Sequence, residues 1–252
     1  MKFEAITAPT INELFENRIQ DMILSGELAI GEKLPTEQEL ADAMRISKST
    51  VHNGIKSLER KGFLRVTPRH GVYVANYPET GNLDTLIALL KHSGNRLDRQ
   101  TVCSILQFRE SVEGMAVRLL AANHTTDHIL RLRMFIDDIR KAVQRSPAVR
   151  TGELAQLLFE YHLYIGLKSG NNVIPMVLNG FHDVSMVFWQ MWIQQMGIET
   201  AIDFLEQFTQ SIAKGDGKGA MRLYRDSAER FMEKAFGGST GAAANPEEQN
   251  CT

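Results

Sequence analysis

One short stretch confines the β-structure of this chain to a single hairpin. Phe63 to Thr67 and Val72 to Ala75 are apolar runs of strand length, and between them Pro68-Arg69-His70-Gly71 has the composition of a turn. Everywhere else the apolar residues recur at helical spacing, and no alternating pattern follows Ala75. The chain is therefore expected to be mostly α, with one small hairpin.

The elements before the hairpin fix its context. Phe15, Ile19 and Met22 mark a helix over Ile11 to Ser25 that Gly26 stops, and a turn from Glu27 to Leu34 follows. Thr36 and Glu39 are spaced as a capping box opening a second helix, with Leu40, Ala41 and Met44 inward. Ser47 caps a third helix that buries Val51, Ile55 and Leu58, leaves Lys48, Ser49, His52, Asn53 and Lys56 outside, and ends at Gly62. Helix, helix, helix, hairpin is the order of a winged helix-turn-helix, assigned to residues 1–76 with an irregular arm over 1–9. Residues 77–82 read as a linker. Beyond it, helices are expected near 83–93, 98–123, 126–145, 150–169, 172–195, 198–214 and 216–236, an all-α bundle over 83–236. Residues 237–252, small and polar, read as a disordered tail.

Charge separates the two ends of the first domain. Residues 1–43 carry three basic and nine acidic side chains, whereas Met44 to Asn76 holds seven basic residues against the single acid Glu59. A formal net charge of −2 hides that local field, which suits a nucleic-acid phosphate backbone. The third helix presents hydroxyls (Ser47, Ser49, Thr50) at its N-terminal turn, where phosphates are favoured, and Lys48, His52 and Asn53 are long enough to probe base edges. Arg69 and His70 make the hairpin tip basic, and Gly71 permits its turn. Double-stranded operator DNA is the expected partner.

Other classes find little support. No apolar run reaches membrane-spanning length and no signal peptide opens the chain, so a cytoplasmic location is expected, with no membrane partner. Cys103 and Cys251 are too few for a disulfide framework and form no CxxC pair. GxSxG and HExxH are absent, and Gly215-Asp216-Gly217-Lys218-Gly219 joins two helices without the spacing of a phosphate loop. The chain is not expected to be an enzyme.

The run Gly31-x-Lys33-Leu34-Pro35-Thr36-Glu37-x-Glu39-Leu40-Ala41, then Ile46 to Val51, Leu58-x-x-x-Gly62 and Gly71-x-Tyr73-Val74, resembles the GntR family of bacterial regulators over residues 11–75. That resemblance implies operator contacts from Gln38, Ser47, Lys48, Ser49, Thr50, His52, His70 and Gly71. Many members have arginine where this chain has Gln38, Lys48 and His52, and neither lysine nor histidine makes arginine's fork to guanine.

The second half, from Asn82 to Phe236, resembles the all-helical FCD-type effector domain of the fatty-acid-responsive, FadR-like branch. The resemblance rests on Phe108-Arg109-x-x-x-Glu113, Tyr161-His162 with Ser169-Gly170-Asn171, and Ser211-Ile212-x-x-Gly215-Asp216. It implies a homodimer that encloses a small-molecule effector. Four metal-ligand positions of such domains fall on Leu158, His162, Leu205 and Ser227. One imidazole with two leucines cannot hold a metal, so none is expected unless His182 and Asp183 compensate. Arg109, His162 and Trp189 are the ligand candidates, beside a Met- and Trp-rich stretch from Met176 to Met196 that suits an adaptable pocket or ordinary core. Arg109 needs Glu113, another acid or an anionic ligand. The expected effector is an anionic metabolite such as a fatty acid or acyl thioester, the alternatives being a small carboxylate or no ligand at all.

Overall fold

The structure is a computed structural model that describes residues 9–94, 97–145 and 151–237. The first eight residues of the arm, nearly all of the tail and Cys251 lie outside the described residues. By backbone contacts the chain divides into two compact units, with the boundary between Asn95 and Arg96.

The N-terminal unit opens with α1 (Ile11–Leu24), α2 (Glu37–Met44) and α3 (Lys48–Arg60). Each helix start is closed by a local side chain. Thr10 and Thr36 make capping boxes with Glu13 and Glu39, and the Ser47 hydroxyl accepts from Thr50 N at 3.1 Å. The Thr36 backbone N–H, with help from its hydroxyl, holds the Glu39 carboxyl below the usual carboxylate range. Phe15, Ile19, Ile23, Leu40, Val51, Ile55, Leu58, Phe63 and Val74 then meet in one core. Glu16 clamps α1 to α3, accepting from Ser57 Oγ at 2.8 Å and Lys61 Nζ at 2.7 Å.

The wing is β1 (Leu64–Thr67) paired antiparallel with β2 (Gly71–Val74), Leu64 facing Val74 and Thr67 facing Gly71. Its outer edge is not left bare. Gly31 N donates to Val74 O at 3.0 Å, Leu34 N to Val72 O at 2.9 Å, and Val74 N to Glu32 O at 2.8 Å. The segment read from sequence as a plain turn thus bridges to β2 at Lys33 and Tyr73 without forming a strand, covering an edge that would otherwise invite pairing.

Two more helices complete this unit, α4 (Tyr77–Thr80) and α5 (Leu83–His92). The sequence places α5 in the second domain, but it packs with the first. Thr85 Oγ1 donates to Lys61 O at 2.6 Å, Asn82 Nδ2 to Arg60 O at 2.8 Å, and His92 Nδ1 meets Asp21 Oδ1 at 2.8 Å. The first two bonds satisfy carbonyls that the end of α3 leaves open, and the third ties the helix to α1, so α5 is fixed to this unit.

The second unit is all-α: α6 (Arg99–Asn123), α7 (Thr126–Arg145), α8 (Thr151–Lys168), α9 (Ile174–Gly180), α10 (His182–Met196), α11 (Ile198–Ala213) and α12 (Gly217–Phe236). The helix expected over 172–195 is two, broken at Gly180-Phe181. Asn171 sets its start, its Oδ1 accepting from Val173 N at 2.9 Å and Ile174 N at 3.3 Å. α6 packs on α12 and α8, and α8 on α10. Asp216 caps α12 by accepting from Gly219 N at 2.7 Å, so the glycine-rich stretch spends that N–H on its own helix start. Among the described residues no helix is long and apolar enough to cross a membrane.

Gly54 is the closest point between α1 and α3: a Cβ there would lie 2.2 Å from Phe15 Cδ1. Gly54→Ala gains about 1 kcal/mol of helix propensity but must displace a buried ring, an overpacking cost of about 1–3 kcal/mol. A lower urea midpoint for the N-terminal unit is the expected outcome. A variant as stable as wild type would show that the ring slides aside freely.

Candidate functional site

Two places concentrate polar chemistry. The first is the exposed side of α3 and the hairpin tip. Ser47 Oγ lies 2.8 Å from both Ser49 Oγ and Thr50 Oγ1, so three hydroxyls cluster at the N-terminal turn of α3. Lys48, His52 and Asn53 are exposed on the same helix, and Lys48 and His52 stand one turn apart on one face. His52 is not free: its Nδ1 lies 2.8 Å from Glu37 Oε1 on α2. Gln38, also exposed, gives its Nε2 to Asp42 Oδ1 at 3.0 Å. Glu37 and Asp42 are partners of these side chains that the sequence reading missed. The Glu37 contact spans 15 positions and carries no local signal.

The hairpin tip has its own constraint. His70 N donates to Thr67 O at 3.0 Å, closing a turn with Pro68 and Arg69 at its centre. Arg69 there has φ 66°, a left-handed conformation that favours Gly or Asn. Holding a side chain there costs about 1–2 kcal/mol. Across the strands Arg65 lies over the Tyr73 ring, and Tyr73 Oη donates to His70 O at 3.3 Å, stiffening the tip. Hydroxyls, amines and a helix N-terminus on one exposed surface, with a basic tip beside Gly71, suit a polyanion.

The second place lies inside the helical unit. Arg109 is 4% exposed and Glu113, one turn on, is 6% exposed. Arg109 Nε donates to Glu113 Oε1 at 2.7 Å and Nη2 to Oε2 at 3.2 Å, a bidentate pair. The guanidinium carbon stands 4.3 Å from the Trp189 ring centre and 4.5 Å from that of Phe188. His162 comes from α8, its Nδ1 3.0 Å from Glu113 Oε2 and its buried Nε2 without a hydrogen-bond partner. Burial pushes the Glu113 carboxyl up, but the Arg109 guanidinium and His162 outweigh it and hold the group at about 2.

Arg109 and Trp189 line one small cavity with Leu106, Trp192, Tyr224 and Ser227; its free space, about 20 Å³, suits a single water. His162 does not line it but sits behind Glu113, its ring 5.0 Å from that of Trp189. Phe188 was not among the expected site residues, although it stacks on the guanidinium. Met176, expected near the pocket, is 71% exposed.

The four positions where such domains hold a metal do not fit one here. Leu158, Leu205 and Ser227 are buried beside His162 in the sequence register but offer one hydroxyl and no further strong donor. His182 turns elsewhere, to Asp183 Oδ1 and Gln156 Oε1 at 3.1 Å each.

A depressed carboxyl has a sign. With an ordinary value of 4.5 and a folded value of about 2, Glu113 contributes stability that is complete above pH 4.5 and lost as pH falls toward 2, roughly 3 kcal/mol in all. Melting curves of wild type should therefore lose more stability across that window than those of the Arg109→Met, Glu113→Leu double variant. Parallel acid limbs in the two proteins would remove the assignment.

Comparison with known proteins gives a consistent answer. Residues 13–74 match the family described as bacterial regulatory proteins, gntR family, and residues 104–230 match the FCD domain. The uncharacterized HTH-type transcriptional regulator YcbG of Bacillus subtilis strain 168 is 26% identical over 69% of this chain and 68% of its own length. The Glc operon transcriptional activator of Escherichia coli strain K12 is 25% identical over 69% of this chain and 66% of its own. A solved structure of Lar, said to control expression of the Listeria monocytogenes agr system and to mediate virulence, superposes with a TM-score of 0.61 at 14% identity. It covers 92% of this chain and 99% of that one, a likeness of fold alone. A reading head of three helices and a wing, followed by a helical FCD unit, makes this chain a member of the GntR family of bacterial regulatory proteins, a DNA-binding transcription regulator and not an enzyme.

Proposed function

We propose that this regulator works in the cytoplasm as a homodimer whose two reading heads occupy half-sites about one helical turn, roughly 35 Å, apart on a pseudo-palindromic operator. A small anionic metabolite at Arg109 sets its DNA affinity. The observation that carries the effector reading is the buried Arg109, stacked on Trp189 and Phe188 at the wall of a cavity. Glu113 neutralises the guanidinium from one side, and an incoming carboxylate would compete for it from the cavity side. At about 20 Å³ the cavity admits a carboxylate only if its aromatic wall opens, and the smaller opening that a short carboxylate needs, such as a hydroxy acid or sugar acid, favours it over a fatty acid or acyl thioester. Ligand and operator must then couple through a difference in affinity between two states of the dimer.

On the DNA side the proposed contacts are Gln38, Ser47, Lys48, Ser49, Thr50, His52, Asn53, Arg69, His70 and Gly71. Hydroxyls and backbone amides at the α3 start hold phosphates, Lys48, His52 and Asn53 face the major groove, and Arg69 and His70 enter the neighbouring minor groove.

Two variants test these sides separately. Arg109→Lys keeps a cation opposite Glu113, so the fold is retained, but it lacks the planar fork. With full-length protein, a short carboxylate in hundredfold excess over its Kd should stabilise wild type by about 2.7 kcal/mol, and the variant should need about tenfold more acid for the same shift. Acyl thioesters moving the midpoint while every short acid fails, or no acid acting at all, would overturn the ligand reading. Arg69→Gly relieves the strained backbone while deleting the charge. Its N-terminal unit should be as stable as wild type, yet operator affinity should fall with a salt slope smaller by about 1. Unchanged affinity across a salt series would take Arg69 off the DNA.

A further inference from the structure

The wing and the α3 start supply charge and hydroxyls, which position a duplex but carry little base information. Among the outward side chains of α3, Lys48 is a point charge and lacks a directional fork. His52 differs because one of its two ring nitrogens is already committed. Glu37, the first residue of α2, places Oε1 at 2.8 Å from His52 Nδ1, and the imidazole side chain remains 47% exposed.

A carboxylate only accepts hydrogen bonds. The proton of a neutral His52 ring must therefore sit on Nδ1, which leaves Nε2 with a lone pair and no proton. In the major groove an acceptor can pair with the amino groups of adenine N6 or cytosine N4. It meets only lone pairs at guanine N7 and O6. We infer that Glu37 is a positioning residue that sets base specificity: by fixing the His52 tautomer, it makes His52 select adenine or cytosine where an arginine would select guanine. The inference rests on the reading that the outer face of α3 enters the major groove.

The test is selection of duplexes from a random pool by the full-length protein at pH 8, above the ordinary imidazole range, using wild type, His52→Ala, Glu37→Gln and Lys48→Ala. Wild type should prefer adenine or cytosine at one position per half-site, by about threefold to tenfold, and His52→Ala should flatten that position alone. Glu37→Gln should weaken the preference at the same position, because a side-chain amide can either accept from Nδ1–H or donate to Nδ1 and so no longer fixes the tautomer as a carboxylate does. A wild-type preference for guanine at the His52-dependent position overturns the inference. So does a Glu37→Gln variant that loses affinity equally for all sequences with its base preference intact, which would make Glu37 structural only. If His52→Ala and Lys48→Ala both leave affinity and every base preference unchanged, the groove-facing reading fails as well, and the two failures are thereby distinguished.

Discussion

An arginine inside an all-helical bundle must be answered from within, and the second unit is arranged around that requirement. Moving a guanidinium out of water is costly, and a carboxylate alone in the same place would be no better. α6 meets the demand by placing Arg109 and Glu113 one turn apart, so a single helix carries both charges into the core as a forked pair. α8 adds His162 to the second carboxylate oxygen, and α10 lays Phe188 and Trp189 against the guanidinium. Three helices are thereby fixed in register by one polar cluster, with geometry more demanding than apolar contact alone. His162 Nε2 is buried in this cluster without a hydrogen-bond partner.

The reading head follows a different logic. The polar residues of α3 and the hairpin tip lie at or near the surface, and their order comes from direct bonds between neighbours in space: hydroxyls paired at the α3 start, Glu37 against His52, and a tight turn with Arg69 at its centre. Each spends stability or freedom on geometry. An arginine in a position that favours glycine is the clearest instance, because a glycine would satisfy the backbone and only the side chain argues for its presence.

Legibility in the sequence tracked the range of the interaction. The Thr36–Glu39 capping box, the Ser47 cap and the buried faces of α1 to α3 are local patterns, and the structure has them where the spacing put them. Glu113 could be named as a partner for Arg109 because the two are four residues apart on one helix. Contacts across the chain were invisible. Nothing in Gly31 to Leu34, with a glycine and a lysine, suggests a contact with the hairpin until Val72 and Val74 are there to bond with it. α5 was assigned to the other side of the boundary because its apolar face fits either unit, and only its bonds to Lys61 and Asp21 decide. The break at Gly180 was hidden by apolar residues that continue the same periodicity on both sides of it.

The stitching of the Gly31–Leu34 segment to β2 bears on how a signal could act. Backbone bonds join the wing to the chain that leads into α2, a carboxylate joins α1 to α3, and α5 is bolted to the α3 terminus. Swinging the wing away from α3 would therefore break several of these bonds at once. A displacement of α5, the last element bound into this unit, would be carried to the end of α3 through the Thr85–Lys61 bond, so helix and reader move together.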